Sequence, residues 1–387
     1  MSEYIHMRHG NASQRKELLD LLDMSFGFTR DEDKFINLLP KLYKEKYNPA
    51  QNNVVLDVNG EIRAAVGLYY SNLTVCGEKL KISGIGNVAV HPDHRNKGYM
   101  GFCMALCLDE MKQNMTDMGF LSGQRQRYGR YSYEQCGLQY SFFFNKKNVR
   151  YKCGKDKKAA YDYREIAEND TEIFSKIADI YNSRPFKAVR QSEDMYDILC
   201  SWKALSYAVL SDGEFKGWFV LNRSKTYVYE MGYANKEDIE EIIICALEAS
   251  EKDSIELVVP PFEADVCDYL GKNCEYYRMN QSIRYTIFSY ENVLRAFLKL
   301  KSTYTFLADG ECVMLIEGIK LPEQIKITVK DNAVSVEETD KKPDIILKHD
   351  EAMRLVGSLY SERRNELKPE CASWFPLPFY TYSMDEV

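Results

Sequence analysis

The segment NVAVHPDHRNKGYMGFCMALCLDEM, residues 87–111, constrains the fold more than any other part of the chain. An apolar strand pattern from Asn87 to Val90 runs into a polar turn holding His91, Pro92 and His94. Arg95, Asn96, Lys97 and Gly98 follow, and an apolar helical pattern starts at once. A strand delivered into a helix is the unit of an α/β sheet, and the joining loop lies at the strand's carboxyl end, where such sheets bind ligands. No Ser or Asp caps this helix, so its first N–H groups and the positive end of its dipole are open to an anion. Gly98 permits close approach, Gly101 lies within the first turn, and Arg95 and Lys97 add charge: the loop reads as a phosphate cradle. The Gly-x-x-x-x-Gly-Lys-Ser/Thr loop is absent from the chain, and Gly-x-Gly-x-x-Gly does not occur here, so the loop belongs to neither of those phosphate-binding classes.

At 387 residues the chain is too long for one ordinary core, and two or three domains are expected. The pattern predicts helices over 11–28 and 31–43, the latter interrupted by Pro40, then consecutive strands over 52–90 with Asn59-Gly60 as a hairpin turn. A helix from about Gly98 to Met118 and a short strand, GFLSGQ, complete this region. The basic, low-apolar stretch NKKNVRYKCGKDKK (145–158) reads as a linker. Helices over 171–186 and 192–205, strands over 206–234, a helix over 236–250 and a strand over 254–262 repeat the first order, which suggests an internal duplication. Beyond about residue 288 an amphipathic helix, alternating strands and an aromatic tail, CASWFPLPFYTYSMDEV, form a small α+β unit. The expected domains are 1–147, 148–287 and 288–387, in an α/β (α+β) protein with two mixed central sheets.

The formal charge of -7 argues against a nucleic-acid partner and suits a cationic one. No apolar run approaches the roughly 20 residues of a membrane span. The 11 cysteines contain no CxxC pair, and the N-terminal residues show no signal-like apolar core, so a cytoplasmic protein with reduced thiols is expected. His91 and His94 offer two nitrogens with no completing ligand, so no metal is expected. Cys103 falls on an apolar helix face and reads as a core thiol.

The loop Arg95-Asn96-Lys97-Gly98-Tyr99-Met100 resembles the Arg/Gln-x-x-Gly-x-Gly/Ala loop of the GNAT superfamily of N-acetyltransferases, departing from it at Met100, with Gly101 one place late. A second stretch, QRQRYGRYSYEQCG, places Tyr128 where that superfamily carries a Tyr a few residues before a Gly-Phe pair, here Ser132-Tyr133. More narrowly, HRNKGYM, YGRYSY and the ending FPLPFYTYSMDEV are similar to the enhanced intracellular survival (Eis) family. That plan is a catalytic GNAT domain, a degenerate GNAT-like domain and a sterol-carrier-protein-like domain, whose terminal carboxylate lies in the first domain's active site. The resemblance implies a hexamer that acetylates amines, aminoglycosides among them.

On this resemblance, acetyl-CoA is the cosubstrate. Its pantetheine would lie along Val88, Ala89 and Val90, and its pyrophosphate on Arg95, Asn96, Lys97, Gly98, Tyr99, Met100 and Gly101. Tyr128 is the expected acid for the departing thiolate, with Tyr131 and Tyr133 as rivals. The Val387 carboxylate is the expected base or ammonium anchor; with an ordinary pKa of about 3.5 it is a weak base near pH 7. The second domain has acidic residues, EMGYANKEDIEEI, where the cradle would be, and is expected to bind no phosphate. The acceptor is an amine of a cationic small molecule (aminoglycoside or polyamine type) or a lysine. The alternatives are a silent acetyl-CoA sensor or scaffold, and a lipid carrier.

Overall fold

The computed structural model describes residues 4–153 and 158–387. Its first sheet begins with β1 (Ile5–His9), β2 (Asn53–Val58), β3 (Glu61–Val75), β4 (Glu78–Val90) and β5 (Met118–Leu121), paired in that order. All these pairs are antiparallel except β4 with β5. Asn59 and Gly60, at φ +56° and +90°, turn β2 into β3, the left-handed pair a two-residue hairpin requires. Before β2 come α1 (Arg15–Phe26) and two short helices, α2 (Phe35–Leu38) and α3 (Pro40–Tyr43), with Pro40 opening the latter. Between β4 and β5 runs α4 (Tyr99–Gln113), which buries Tyr99, Cys103, Met104, Cys107 and Met111 against the sheet. It stops five residues short of Met118: Met115 takes φ +55° and Thr116 N–H closes on Met111 O, turning the chain into β5.

The second sheet repeats the scheme. Strands Leu205–Ser211, Glu214–Leu221 and Tyr227–Tyr233 form a meander, the helix Ile239–Ala249 crosses over, and Ser254–Val259 returns parallel to Tyr227–Tyr233. The third sheet has four strands, with Gly310–Glu317 and Ile345–Lys348 parallel and the rest antiparallel.

Strands of the first two sheets pair across the boundary expected at 147/148, while the third sheet lies within 288–387. Strand Gln139–Asn145 sits in the second sheet between Ser254–Val259 and Tyr276–Asn280. Conversely, Arg284–Ile287 sits in the first sheet between β5 and Glu134–Gln135, and Phe186–Ala188 pairs with the far end of β3. Both strands are apolar enough to fill either core, and register decides which. Tyr285 and Ile287 are fully buried in the first unit, Phe142 and Phe144 in the second.

The stretch expected as a linker begins as a helix, Lys146–Cys153, because the Asn145 side chain accepts from the N–H groups of Lys147 and Asn148 and caps it. Residues 154–157 of that stretch lie outside the described residues. The helix expected over 192–205 shrinks to Met195–Leu199, since Trp202 and Lys203 turn to φ +61° and +55°. No described helix is long and apolar enough to cross a membrane.

Candidate active site

Asn87, at φ +37°, is a bulge in β4: Ala65 faces Ala89 but Gly67 faces Gly86, so β4 carries one extra residue. The Asn87 side chain fixes the bulge, accepting from the Tyr69 hydroxyl (3.1 Å) and donating to Asn53 Oδ1 (2.6 Å). The pairing of β4 with β5 ends just before it, at Ile85 and Leu121. The two strands then part into a fork. On the β5 side the backbone of Val88 to Val90 has no strand partner, so it can pair with an extended ligand.

One arm of the fork opens on a cleft of about 660 Å³. Val88, Ala89, Val90, Arg95, Asn96, Gly98, Tyr99, Met100 and Gly101 all border it. Lys97 does not: its Nζ lies 3.5 Å from His94 Nδ1 and 5.9 Å from the centre of the Tyr99 ring. Gly98 sits at the helix cap with φ +81° and no side-chain cap. The cleft gains positive charge from Arg127 and Arg130, which the sequence reading quoted but did not assign, and is closed by Ser25 and Phe26 at the end of α1. Arg95 bonds to Ser25 O (3.2 Å), tying that end of α1 to the cradle. The donor set, a capless helix start among three arginines beside an unpaired strand edge, fits a pyrophosphate on an extended arm.

In the second unit the equivalent helix start is filled by the chain itself. Asn235 and Asp238 form a capping box, and Glu240 and Glu241 occupy the first turn.

The other arm of the fork holds the tail. Trp374 is fully buried and donates to Ala308 O (2.8 Å), while Phe379 packs edge-on to Phe297. Thr381 meets the Tyr285 hydroxyl (3.1 Å). Asp385 accepts from Arg190 Nε (2.8 Å) and the Tyr181 hydroxyl (2.6 Å), and Arg190 makes a bidentate pair with Glu230 (2.9 and 2.7 Å). Glu386 accepts from Ser122 just past β5 (2.8 Å); burial raises its pKa against that bond. Val387 lies on β4. A Cβ built on Gly84 would come within 2.5 Å of its Cγ2, and one on Gly86 within 3.1 Å of its carboxyl carbon. Only glycines leave room for the terminal residue there.

Val387 closes a cavity of about 310 Å³ between the first sheet, the 186–198 segment and the tail, which Lys41, Tyr69, Phe120, Arg190 and Tyr382 also border. Lys41 donates to Met384 O (2.5 Å), and burial pushes its pKa down to about 8.

Tyr128 is buried and borders neither cavity. Its ring covers Gly123, where a Cβ would be 2.3 Å from Tyr128 Cε2, so it stands one residue beyond the Ser122 that holds Glu386. Burial raises its pKa, while Arg127 beside it lowers it. Tyr131 borders the cofactor cleft; Tyr133 is a core residue whose hydroxyl meets only Met111 Sδ (3.8 Å). Cys103 is fully buried and its pKa is pushed up to about 12 by burial, as befits an inert core thiol. No three His, Cys, Asp or Glu side chains cluster as metal ligands among the described residues.

Residues 6–136 match the acetyltransferase (GNAT) domain family. No curated protein sequence matches the chain significantly. Among solved structures, it is similar to a GCN5-related N-acetyltransferase from Anabaena variabilis, with 12% identity, TM-score 0.70, and 99% of this chain and 100% of that one covered. A GCN5-related N-acetyltransferase from Kribbella flavida gives 15% identity and TM-score 0.65 over 91% and 88%. Eis1 from Mycobacterium abscessus gives 14% and 0.59 over 90% and 88%. At these identities the likeness is one of fold, and it extends through all three sheets. The first unit is a GNAT domain, the architecture is a tandem of GNAT-type folds, and the chain is an N-acetyltransferase that uses an acyl-CoA.

Proposed function

We propose that the chain transfers acetyl from acetyl-CoA to the primary amine of a cationic small molecule, by direct attack, in an Eis-like arrangement. The observation that carries this reading is the fork at Asn87, with an anion cradle on one arm and the Val387 carboxylate on the other. The resemblance adds a sterol-carrier-like third unit, a cytoplasmic setting and a hexamer.

Arg95, Arg127 and Arg130 with the α4 start hold the pyrophosphate, and the free edge of Val88 to Val90 holds the pantetheine. The thioester then lies where the fork narrows, open to an amine from the Val387 side. The carboxylate draws in the ammonium and orients it, and a water beside it takes the proton. The amine nitrogen attacks the thioester carbon and the C–S bond breaks. A phenol gives its proton to the thiolate and is then reprotonated: Tyr128, buried beside Gly123 with Arg127 next to it, or Tyr131, which borders the cofactor cleft.

Acetyl-CoA-dependent mass gain on a panel of amines tests the reading. The Tyr128→Phe variant is expected to lose about 100-fold in kcat with its acetyl-CoA affinity intact. A comparable loss in Tyr131→Phe, with Tyr128→Phe near wild type, would transfer the acid role to Tyr131. At the cradle, Gly98→Val puts a branched side chain at φ +81° in the phosphate seat. It is expected to weaken acetyl-CoA binding at least tenfold by calorimetry, since the left-handed conformation alone costs a non-glycine residue about 1–2 kcal/mol.

A further inference from the structure

We propose that the acceptor is a monocationic amine carried on an uncharged aromatic or branched apolar body, and that polycations are excluded. The inference rests on the amine-acetyltransferase reading and comes from the cavity's own charges.

Three anions border the cavity: Asp194, Asp385 and the Val387 carboxylate. Two are already matched. Asp385 accepts from Arg190 and Tyr181; Asp194 accepts from Lys46 Nζ (3.0 Å) and the Tyr47 hydroxyl (2.6 Å). The Val387 carboxylate takes no hydrogen bond and no ion pair from the described residues. One unmatched anion gives a seat for one ammonium.

Two cations border the same space, Lys41 and Arg190. With a pKa of about 8, Lys41 still carries its charge at pH 7. Arg190 is already paired with Glu230 and Asp385, so a second ammonium on the substrate would face the Lys41 charge and find no free carboxylate. Most of the remaining wall is rings and aliphatic groups, such as Tyr69, Phe120, Phe186 and Ile82, with Asn52, Ser71 and Thr381 as its uncharged polar side chains. Rings favour an apolar body and a nearby ammonium, and so few polar side chains would leave most hydroxyls and amines of an aminosugar unpaired. A volume of about 310 Å³ is at the small end of ligand cavities, which run from about 300 to 1,000 Å³. The acidity of the whole chain, which suits a polycation, is thus not repeated in this cavity.

The test is calorimetry on the full chain saturated with CoA, using 2-phenylethylamine, its uncharged analogue 2-phenylethanol, spermidine and an aminoglycoside. The amine is expected to bind at least tenfold tighter than each of the other three. Deleting Val387 is expected to erase its advantage over the alcohol, and Lys41→Met to raise spermidine affinity relative to 2-phenylethylamine by about tenfold. Spermidine or the aminoglycoside binding as tightly as 2-phenylethylamine overturns the proposal, whether or not either variant folds. Acetyl transfer is followed in parallel by mass. A bound monoamine that is never acetylated refutes the transfer reading and leaves the ligand class standing; acetylation with a polycation preferred does the reverse.

Discussion

A chain lacking Val387 binds acetyl-CoA within about twofold of the wild type and acetylates amines at least about 100-fold more slowly. The magnitude is that of losing the group that positions the attacking amine and its water. Deletion leaves Glu386 as the last residue and moves the terminal carboxylate one residue back, off Gly86 and toward the Ser122 contact. The cradle at Gly98 is untouched, so the defect falls on kcat and on the KM for amine, and not on the cosubstrate. Single-turnover mass measurements with saturating acetyl-CoA separate the two. Transfer at the wild-type rate would remove the carboxylate from the mechanism and leave the fork and its cradle in place. Gly84→Val supplies the same test at full length, because its side chain would occupy the space of the Val387 Cγ2 methyl.

The second large effect is expected at Arg190, which never meets the thioester. Its guanidinium is almost wholly buried and binds Glu230 and Asp385 together. Arg190→Met leaves the buried Glu230 carboxylate with only the Trp218 indole N–H at 3.3 Å. Breaking a buried pair on one side typically costs about 3–5 kcal/mol, because the surviving charge has no counterion. Urea denaturation read by tryptophan fluorescence is expected to show that loss, and adding Glu230→Gln is expected to recover part of it. Transfer activity is expected to stay low in both variants, since both lose the guanidinium from Asp385, leave it on the Tyr181 hydroxyl alone and loosen the two residues that follow it. A denaturation midpoint unchanged in Arg190→Met would show that the triad does not hold the tail.

The cradle was legible in the sequence because strand, basic loop, glycine and helix are consecutive, and local spacing carries all of their geometry. The blocked second cradle was legible for the same reason. Lys97 matches the loop by spacing, while its side chain lies by His94 and Tyr99, a placement that spacing does not reveal. Arg127 and Arg130 were in plain view in QRQRYGR; nothing local says that this turn folds back over α4. The acceptor cavity was not legible at all. Lys41, Tyr69, Arg190 and Tyr382 come from four distant segments, brought together by strand pairing and by the tail. Asn87 left one trace, an Asn directly after a glycine in an apolar strand, where a left-handed residue is tolerated. The exchange of Gln139–Asn145 and Arg284–Ile287 between the first two sheets was not legible, because alternation identifies a strand but not its partner.

That exchange of strands has a consequence for the order in which the protein can be made. Residues Arg284–Ile287 cover the edge of β5, yet lie more than a hundred residues downstream of it. During synthesis, the half of the chain that carries the cradle waits with an unpaired edge through the whole of the second unit. Such edges recruit foreign strands, and long-range closures are slow. The cradle-bearing half is therefore no transplantable module: cutting at residue 147 would carry Gln139–Asn145 out of the middle of the second sheet and strip Arg284–Ile287 from between β5 and Glu134–Gln135 in the first. The two units are obliged to ripen together, like two halves of a clasp.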